Sequence, residues 1–328
     1  MVTSTAREKM RSEDLAAPGR RKRHGWSRYS SRTFYLFVSP WVLGFLLLTL
    51  FPLIYALLMS FTNFDGISTH WHWIGLQNYA DMLHDADVWG SLGRTILFAA
   101  ITVPLSVGGG LGLALLLNQR IRALGVFRTI FYLPSVVPVV ASAIMWKLVF
   151  DRDAGALNAL LERIGIPTIT WLIDPTAFYA LIIMMLWGLG GGMIISLAGL
   201  QGVPEELREA ASLDGANAWE KFRNVTLPLL TPVLFFQIVT STITALQILI
   251  QPILLAQSGA ATQVISPGQV PASNYLYMVN VYQQFFGNQR FGYGSAMLWI
   301  LFLVIMLITL LVFRSSASWV YYEVENEG

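Results

Sequence analysis

Cysteine is absent from this 328-residue chain, which excludes a disulfide framework and any thiolate metal site. Charged residues are scarce too, at 12% of the sequence, about half of the share that soluble domains carry. Because charges are costly in hydrocarbon, this deficit indicates a membrane protein. The four histidines lie outside the apolar runs. His70 and His72, with no cluster of acids or histidines beside them, are interpreted as loop residues rather than metal ligands.

Long apolar runs dominate the sequence instead, and 55% of all residues are hydrophobic. A helix needs about 20 apolar residues to cross a bilayer. A segment in lipid must also satisfy its own backbone groups, so each run is predicted to be a helix. Six spans are predicted, at residues 34–61, 92–118, 127–150, 176–200, 229–256 and 291–313. Because proline lacks the donor that helix interiors use, kinks are expected at Pro40, Pro52, Pro104, Pro134, Pro138 and Pro252.

Lysine and arginine are distributed unevenly between the two sides of these spans. With a cytoplasmic amino terminus, the inside segments are 1–33, 119–126, 201–228 and 314–328. Together with Arg128, at the inner end of the third span, they hold sixteen of the 21 basic residues. Four basic residues lie outside, and Lys147 lies near the outer end of the third span. This bias predicts that both termini are cytoplasmic.

The predicted organisation has three parts. Residues 1–33 form a basic cytoplasmic tail, residues 34–313 a six-helix transmembrane domain, and residues 314–328 a cytoplasmic C-terminal tail. The basic tail is interpreted as an orientation signal rather than a nucleic-acid-binding segment. The apolar run that follows the tail is longer than the core of a signal peptide. The sequence therefore predicts an all-α, multi-pass membrane protein.

A polar island at residues 202–228 separates the fourth and fifth predicted spans. Pro204 suits a first helical position, where its missing N–H costs nothing, and two glutamates follow it in the first turn. Gly215 can take the left-handed conformation that ends a helix. Asn217 and Glu220 have the spacing of a capping box for a second helix. The island is predicted to be a helix–turn–helix that either docks a partner or lies on the membrane surface.

The residues of the island also resemble those of a known family. Glu209-Ala210-Ala211 is followed after three residues by Gly215, and after nine more by Val225-x-Leu227-Pro228. This pattern is similar to the signature of bacterial ABC importer permeases, with valine at the usual isoleucine as the one departure. The resemblance extends to most of residues 34–313 and is to the carbohydrate-uptake subfamily in particular. The further similar segments are WIGLQNY (73–79), FYLP (131–134), AGLQGVP (198–204) and GYGSA (292–296).

The resemblance implies a type I ABC importer permease fold with six transmembrane helices and a cytoplasmic coupling helix that sits in a groove of a separate ATPase. The coupling contact is expected at Glu209, Ala210, Ala211, Leu213, Asp214 and Gly215. The chain has no G-x-x-x-x-G-K-[ST], so ATP and Mg belong on the partner ATPase. This chain is expected to bind no cofactor and to be no enzyme. The implied partners are a second homologous permease, two ATPase copies and an extracytoplasmic sugar-binding protein.

Uncharged polar side chains lie along the fifth predicted span, most of them at steps of three and four residues, which places them on one helical face. They are Gln237, Thr240, Ser241, Thr244, Gln247 and Gln251. They serve either as hydrogen bonds between packed helices or as the lining of a pathway for a neutral sugar. In the fourth span, Trp187 can stack on a sugar ring. Gly188 opens a glycine run that either loosens the helix or allows close packing.

The leading hypothesis is a permease subunit that forms half of the pathway of an ATP-driven sugar importer. A disaccharide such as trehalose or maltose is favoured as substrate, and glycerol phosphate less so. The alternative is a stand-alone secondary transporter or channel for a neutral polar solute, in which the island is a surface loop. Inverted repeats and charged intramembrane sites would support that alternative, and neither is clear. A membrane enzyme has the least support, because no catalytic constellation lies at the ends of the spans.

Overall fold

A computed structural model describes residues 31–119, 122–256 and 269–321. Most of the predicted basic tail (1–30) and the last part of the predicted C-terminal tail (322–328) lie outside the described residues. The helices are α1 Ser31–Phe45, α2 Phe51–Met59, α3 Gln77–His84, α4 Ala86–Leu117, α5 Leu124–Val136, α6 Val139–Val149, α7 Ala156–Arg163, α8 Ala177–Leu186, α9 Gly190–Gln201, α10 Glu205–Leu213, α11 Ala218–Lys221, α12 Leu227–Leu246, α13 Ile250–Leu255, α14 Tyr277–Tyr282 and α15 Phe291–Ser316.

The prediction of an all-α fold is confirmed. Within the described ranges, β-type pairing is confined to a single bridge between Thr62 and Trp73. Four continuous helices are long and apolar enough to span a membrane: Phe34–Met59, Ala86–Leu117, Ala218–Leu246 and Phe291–Ser316. Two bent pairs, α5 with α6 and α8 with α9, bring the number of candidate spans to six. These six units correspond to the six predicted apolar segments.

Proline explains the sharpest bend but does not bend every helix that contains it. The axes of α5 and α6 differ by 100°, and Pro138 is the residue immediately before α6. A proline restricts the residue before it to extended conformations, and Val137 is extended at ψ 130°. Pro52 follows a π-helical turn at Leu46–Leu50. Pro104 lies inside α4 without interrupting it, so the kink expected there does not break the helix.

The fifth span ends earlier than the sequence predicts. Its predicted end is residue 256, whereas α12 ends at Leu246, and a separate six-residue helix, α13, follows at Ile250–Leu255. Pro252 is the third residue of that helix, where a missing N–H needs no partner. Inside a continuous helix the same proline would have left a carbonyl unpaired and clashed with the preceding turn. The chain therefore ends one helix and begins another.

The core is built around α4, which packs against α8, α9 and α12. Phe98, Leu181 and Leu246 are almost completely buried beside the first half of α4. Ala114 and Met193 occupy a second cluster near the other end of α4. Many large apolar side chains on the outward faces of the spans stay exposed, as expected for helices that contact lipid rather than water.

Close backbone approach requires glycine where α9 begins. A Cβ on Gly190 would overlap the carbonyl oxygen of Phe131 in α5. The chain turns by 41° between α8 and α9, just before this contact. The glycine run therefore serves both roles that the sequence allowed, since it accompanies a bend and permits close packing of helices.

Candidate functional site: the polar island and the pathway face

The first island helix ends as the sequence predicts. Gly215 has a φ of +82°, a conformation that side chains with a Cβ adopt at a cost. Its N–H donates to the Ser212 carbonyl at 3.2 Å, and the Ala216 N–H donates to the Ala211 carbonyl at 2.9 Å. These two bonds form the Schellman arrangement, which satisfies carbonyls at the end of a helix. Leu213 therefore ends α10 in a defined geometry.

The second island helix begins with the predicted capping box. The Glu220 N–H donates to the Asn217 side chain at 3.0 Å, and the Asn217 N–H donates to the Glu220 carboxylate at 2.8 Å. At the start of the first island helix, Pro204 is the residue just before α10 rather than its first helical residue. This shift of one residue costs no hydrogen bond, because the first N–H groups of a helix have no partner within the helix in either case. Both helices of the predicted helix–turn–helix are present.

The first island helix, α10, presents two different faces. Glu205, Arg208, Glu209 and Ser212 line a cleft of about 580 Å³, and their spacing places them on one helical face. Leu213 points elsewhere and is 90% exposed.

Five of the six predicted coupling residues do not line the cleft. Four of these five are exposed, namely Ala210, Leu213, Asp214 and Gly215. Ala211 is half-buried between the two faces. The structure therefore separates Glu209, on the cleft side, from the exposed residues around Ala210 and Leu213.

Three predicted pathway residues meet at a second cavity. Thr240, Ser241 and Thr244 line a space of about 180 Å³ together with Thr102 and Ser106 of α4. The Thr240 hydroxyl donates to the Phe236 carbonyl at 2.9 Å, and the Thr244 hydroxyl donates to the Thr240 carbonyl at 2.9 Å. Since each hydroxyl has one donor and two lone pairs, these threonines present acceptors to the cavity.

Gln237 has a different role from these threonines. Its Nε2 donates to the Ser196 hydroxyl of α9 at 2.8 Å, and its side chain is 3% exposed. Gly192 lies directly opposite, because a Cβ there would come within 3.1 Å of the Gln237 Oε1. Gln237 thus joins two packed helices by a hydrogen bond, the first of the two roles that the sequence allowed for these polar residues.

The remaining predicted pathway residues lie away from this cavity. Gln247 is exposed and caps the end of α12, and Gln251 lies in α13. They do not continue the helical face of Thr240 and Thr244, because the helix ends before them. Trp187 lies at the bend between α8 and α9 and packs edge-on against Trp146 at 6.0 Å. Gly188 is exposed beside it.

The polar face of α4 is a feature of the site that was not predicted from the sequence. Thr102 and Ser106 lie four residues apart inside an apolar span, and they face the cavity that Thr240 lines. Nearer the start of α4, Thr95 accepts a hydrogen bond from the Tyr277 N–H at 2.8 Å, and Ser91 accepts one from the Asn280 side chain at 3.3 Å. The sequence shows this face as polar residues at positions 91, 95, 102 and 106, whose steps of four and seven residues fit one side of a helix.

The segment after residue 268 is fixed by polar contacts to the rest of the fold. The Asp174 carboxylate accepts the N–H groups of Ala272 and Ser273 at 2.7 and 2.9 Å. Partial burial acts to raise the pKa of Asp174, but the bonds from Ser273 and Ala272 and the charge of Arg94 hold this pKa below its usual value. The carboxylate is therefore the stable form. Among the described residues, no group of three or more His, Asp or Glu is arranged to hold a metal.

Comparison with known proteins identifies the family. Residues 106–320 match the model of the binding-protein-dependent transport system inner membrane component. The chain is 39% identical to the probable ABC transporter permease protein YesP of Bacillus subtilis, covering 89% of this chain and 93% of that protein. It is 32% identical to the trehalose/maltose transport system permease protein MalF of Thermococcus litoralis, covering 85% and 92%.

A solved structure shares the fold. A chain of a bacterial ABC transporter involved in the import of the acidic polysaccharide alginate matches with a TM-score of 0.74 and 21% identity, covering 88% of this chain and 96% of that one. The same kind of transporter is known in complex with an alginate pentasaccharide-bound periplasmic protein, with a TM-score of 0.72 at 19% identity, covering 87% and 94%. With the sequence matches, this likeness shows that the chain belongs to the binding-protein-dependent ABC transporter permeases, the non-catalytic inner-membrane subunits of these transporters.

Proposed function

We propose that this permease is a subunit of an ATP-driven sugar importer and that its polar island docks on a separate ABC ATPase. The observation that carries the proposal is the island itself, whose fold is fixed while one of its faces is uncovered. Leu213 is 90% exposed beside a Schellman turn and a capping box. A rigid, exposed helix transmits motion better than a slack loop, because little movement is lost within it.

The proposed coupling contact comprises Glu209, Ala210, Ala211, Leu213, Asp214 and Gly215. Ala210 supports this role because its small side chain is exposed and lets another surface approach closely. ATP and Mg belong to the ATPase, two copies of which are expected to bind. The island would then be cytoplasmic, in agreement with the distribution of Lys and Arg in the sequence.

The permease is proposed to form half of a pathway, completed by a second homologous permease. Thr240 and Thr244 support this arrangement, because both are exposed at the surface of a single chain and line a cavity. Capture of the solute is assigned to an extracytoplasmic binding protein. The alginate transporter supports that partner, since it is known in complex with a periplasmic protein.

A neutral di- or oligosaccharide is the proposed substrate. The cavity presents hydroxyl acceptors and no charge, which suits the hydroxyl donors of a sugar. A relative named for trehalose and maltose transport and another named for arabinooligosaccharides support the class. A trehalose- or maltose-like disaccharide is the specific proposal.

Uptake of radiolabelled sugar in proteoliposomes that contain the assembled transporter tests the proposal. Glu209→Lys is expected to abolish ATP-dependent uptake while the permease stays folded and inserted. Glu162→Lys, the same charge change on the exposed helix α7, serves as the matched control. Uptake by the permease alone, without ATP or partners, would instead support a stand-alone transporter.

A further inference from the structure

The cleft beside the island lies where three membrane spans end. Leu115 and Asn118 mark the end of α4, and Leu200 the end of α9. Thr226 lies one residue before α12, on the opposite wall. Since the ends of adjacent spans mark the boundary of the hydrocarbon, the cleft lies at the depth of the lipid headgroups.

The lining of the cleft changes character from one side to the other. Apolar side chains of Leu115, Leu200 and Val203 form the side next to the spans. Trp219, whose ring centroid lies 5.7 Å from that of Phe222, lies on the island side. Amphipathic aromatic rings favour the membrane interface. The cleft therefore suits a molecule with an apolar body and a polar head.

The charges in the cleft are balanced rather than of one sign. Two cations, Arg208 and Lys221, line it together with two carboxylates, Glu205 and Glu209. Lys221 donates to Ser212 at 3.2 Å, and an ammonium has further donors to offer. A ligand with one anionic and one cationic group would match all four side chains. A purely anionic ligand would face two carboxylates without a partner.

From this pattern we infer that the cleft binds a phospholipid with a zwitterionic primary-amine headgroup, that is, phosphatidylethanolamine. Its phosphate accepts hydrogen bonds from Arg208 and Lys221, as phosphates do from these side chains. Its ammonium donates to Glu205 and Glu209. Its glycerol and the first carbons of its acyl chains lie against Leu115. The cleft volume of about 580 Å³ falls within the roughly 300–1,000 Å³ typical of ligand sites.

Two other common headgroups fit less well. Phosphatidylglycerol carries a phosphate and no cation, so Glu205 and Glu209 would remain unpaired beside it. Phosphatidylcholine is zwitterionic, but its quaternary ammonium has no N–H to donate to a carboxylate. The three lipids therefore separate the contributions of phosphate, charge balance and ammonium donors.

The inference shares only Glu209 with the proposed ATPase contact, and the substitutions that test it, Glu205→Gln and Arg208→Gln, lie outside that contact. Residues that carry it lie on the cleft face of α10, whereas Ala210 and Leu213 lie away from the cleft. A failure of lipid binding would leave the coupling proposal intact, and the reverse also holds.

Native mass spectrometry of the purified, delipidated full-length permease tests the inference. The protein is titrated with phosphatidylethanolamine, phosphatidylglycerol or phosphatidylcholine that carry identical acyl chains. We expect phosphatidylethanolamine to bind roughly tenfold more tightly than the other two, the difference that one charge-assisted hydrogen bond makes.

Three variants assign the headgroup contacts. Glu205→Gln is expected to weaken phosphatidylethanolamine binding roughly tenfold and to leave phosphatidylglycerol unaffected. Arg208→Gln is expected to weaken both lipids. Glu206→Gln removes a carboxylate from the same first turn of α10, but from outside the cleft, and is expected to change neither. Misfolding cannot produce a loss confined to one lipid, so Glu205→Gln remains informative.

Three results would overturn the inference. The first is equal binding of all three lipids, as for unselective annular lipid. The second is an identical effect of Glu205→Gln and Glu206→Gln. The third concerns the ATPase. If the cleft variants alter attachment of the ATPase and leave lipid binding unchanged, the occupant of the cleft is a protein and the lipid assignment is wrong.

Discussion

The ammonium of Lys221 donates a hydrogen bond to the hydroxyl of Ser212 at 3.2 Å, which joins the two helices of the polar island across their turn. Ser212 in turn donates to the Arg208 carbonyl at 2.7 Å. With the Schellman turn and the capping box, these contacts make the island one rigid unit. A force applied at its exposed face would therefore reach α12, which continues directly from the second island helix.

The turn of the island depends on the conformation of Gly215. Gly215→Ala is expected to destabilise the turn by about 1–2 kcal/mol, the cost of a left-handed backbone at a residue with a Cβ. Faster hydrogen exchange at the Ala216 N–H, which is bonded to Ala211, would report the effect. Gly215→Asn is the control, because asparagine tolerates this conformation better. Equal exchange in both variants would contradict the role given to the turn.

The cavity between α4 and α12 is expected to contact the transported solute. Thr240→Val removes a hydroxyl from the cavity wall at nearly constant volume and is expected to raise the KM of uptake about 2- to 10-fold, the equivalent of one neutral hydrogen bond. Thr242→Val provides the matched control. That threonine lies on the same helix and bonds to the Ile238 carbonyl, but it does not line the cavity. An equal change of KM in both variants would argue against a pathway on this face.

Gln237 is expected to affect stability rather than specificity. Gln237→Leu leaves the buried hydroxyl of Ser196 without its partner, which is expected to cost about 1–3 kcal/mol. Thermal unfolding of the purified permease in detergent measures this loss. The double variant with Ser196→Ala is expected to recover much of the stability, because both polar partners are then removed. A double variant as unstable as the sum of the two single variants would contradict the packing role.

The link from Asp174 to residues 272–273 is expected to depend on pH. The folded-state pKa of Asp174 is depressed, so its contribution is fully present above the unfolded pKa of about 4. The contribution is lost as the pH falls through the lower folded pKa. Asp174→Asn keeps only one of the two oxygens that accept the N–H groups of Ala272 and Ser273. This substitution is expected to lower the free energy of unfolding by about 1 kcal/mol at neutral pH. The cost should shrink in acid, and a constant difference between pH 7 and pH 3 would contradict the assignment.

Local rules predicted much of the island from sequence. Gly215 and the pair Asn217 and Glu220 were identified correctly because turn and cap chemistry depends on neighbouring residues alone. The periodicity of the fifth span was less informative. It grouped Gln237 with Thr240 because both lie along the same helix. Only the packing of α9 and α4 shows that Gln237 contacts a neighbouring helix, whereas Thr240 lines a cavity.

The end of the fifth span could not be located from hydropathy. Residues 247–256 are as apolar as the residues before them, and Pro252 alone marked the region as irregular. Whether a proline kinks, breaks or leaves a helix intact depends on how its neighbours pack. Pro104 lies within an unbroken helix, while Pro138 lies in the break between two helices whose axes differ by 100°.

The most direct test of the coupling claim is how much ATPase stays bound to the permease. Co-purification of the ABC ATPase of the source organism is measured with the full-length permease carrying Ala210→Trp. Ala159→Trp is the matched control, a substitution of the same size on the exposed helix α7. We predict that Ala210→Trp reduces the amount of bound ATPase at least about tenfold, an effect of roughly 1.4 kcal/mol, while Ala159→Trp retains it. Equal recovery of ATPase with both variants would show that the island is not the coupling contact.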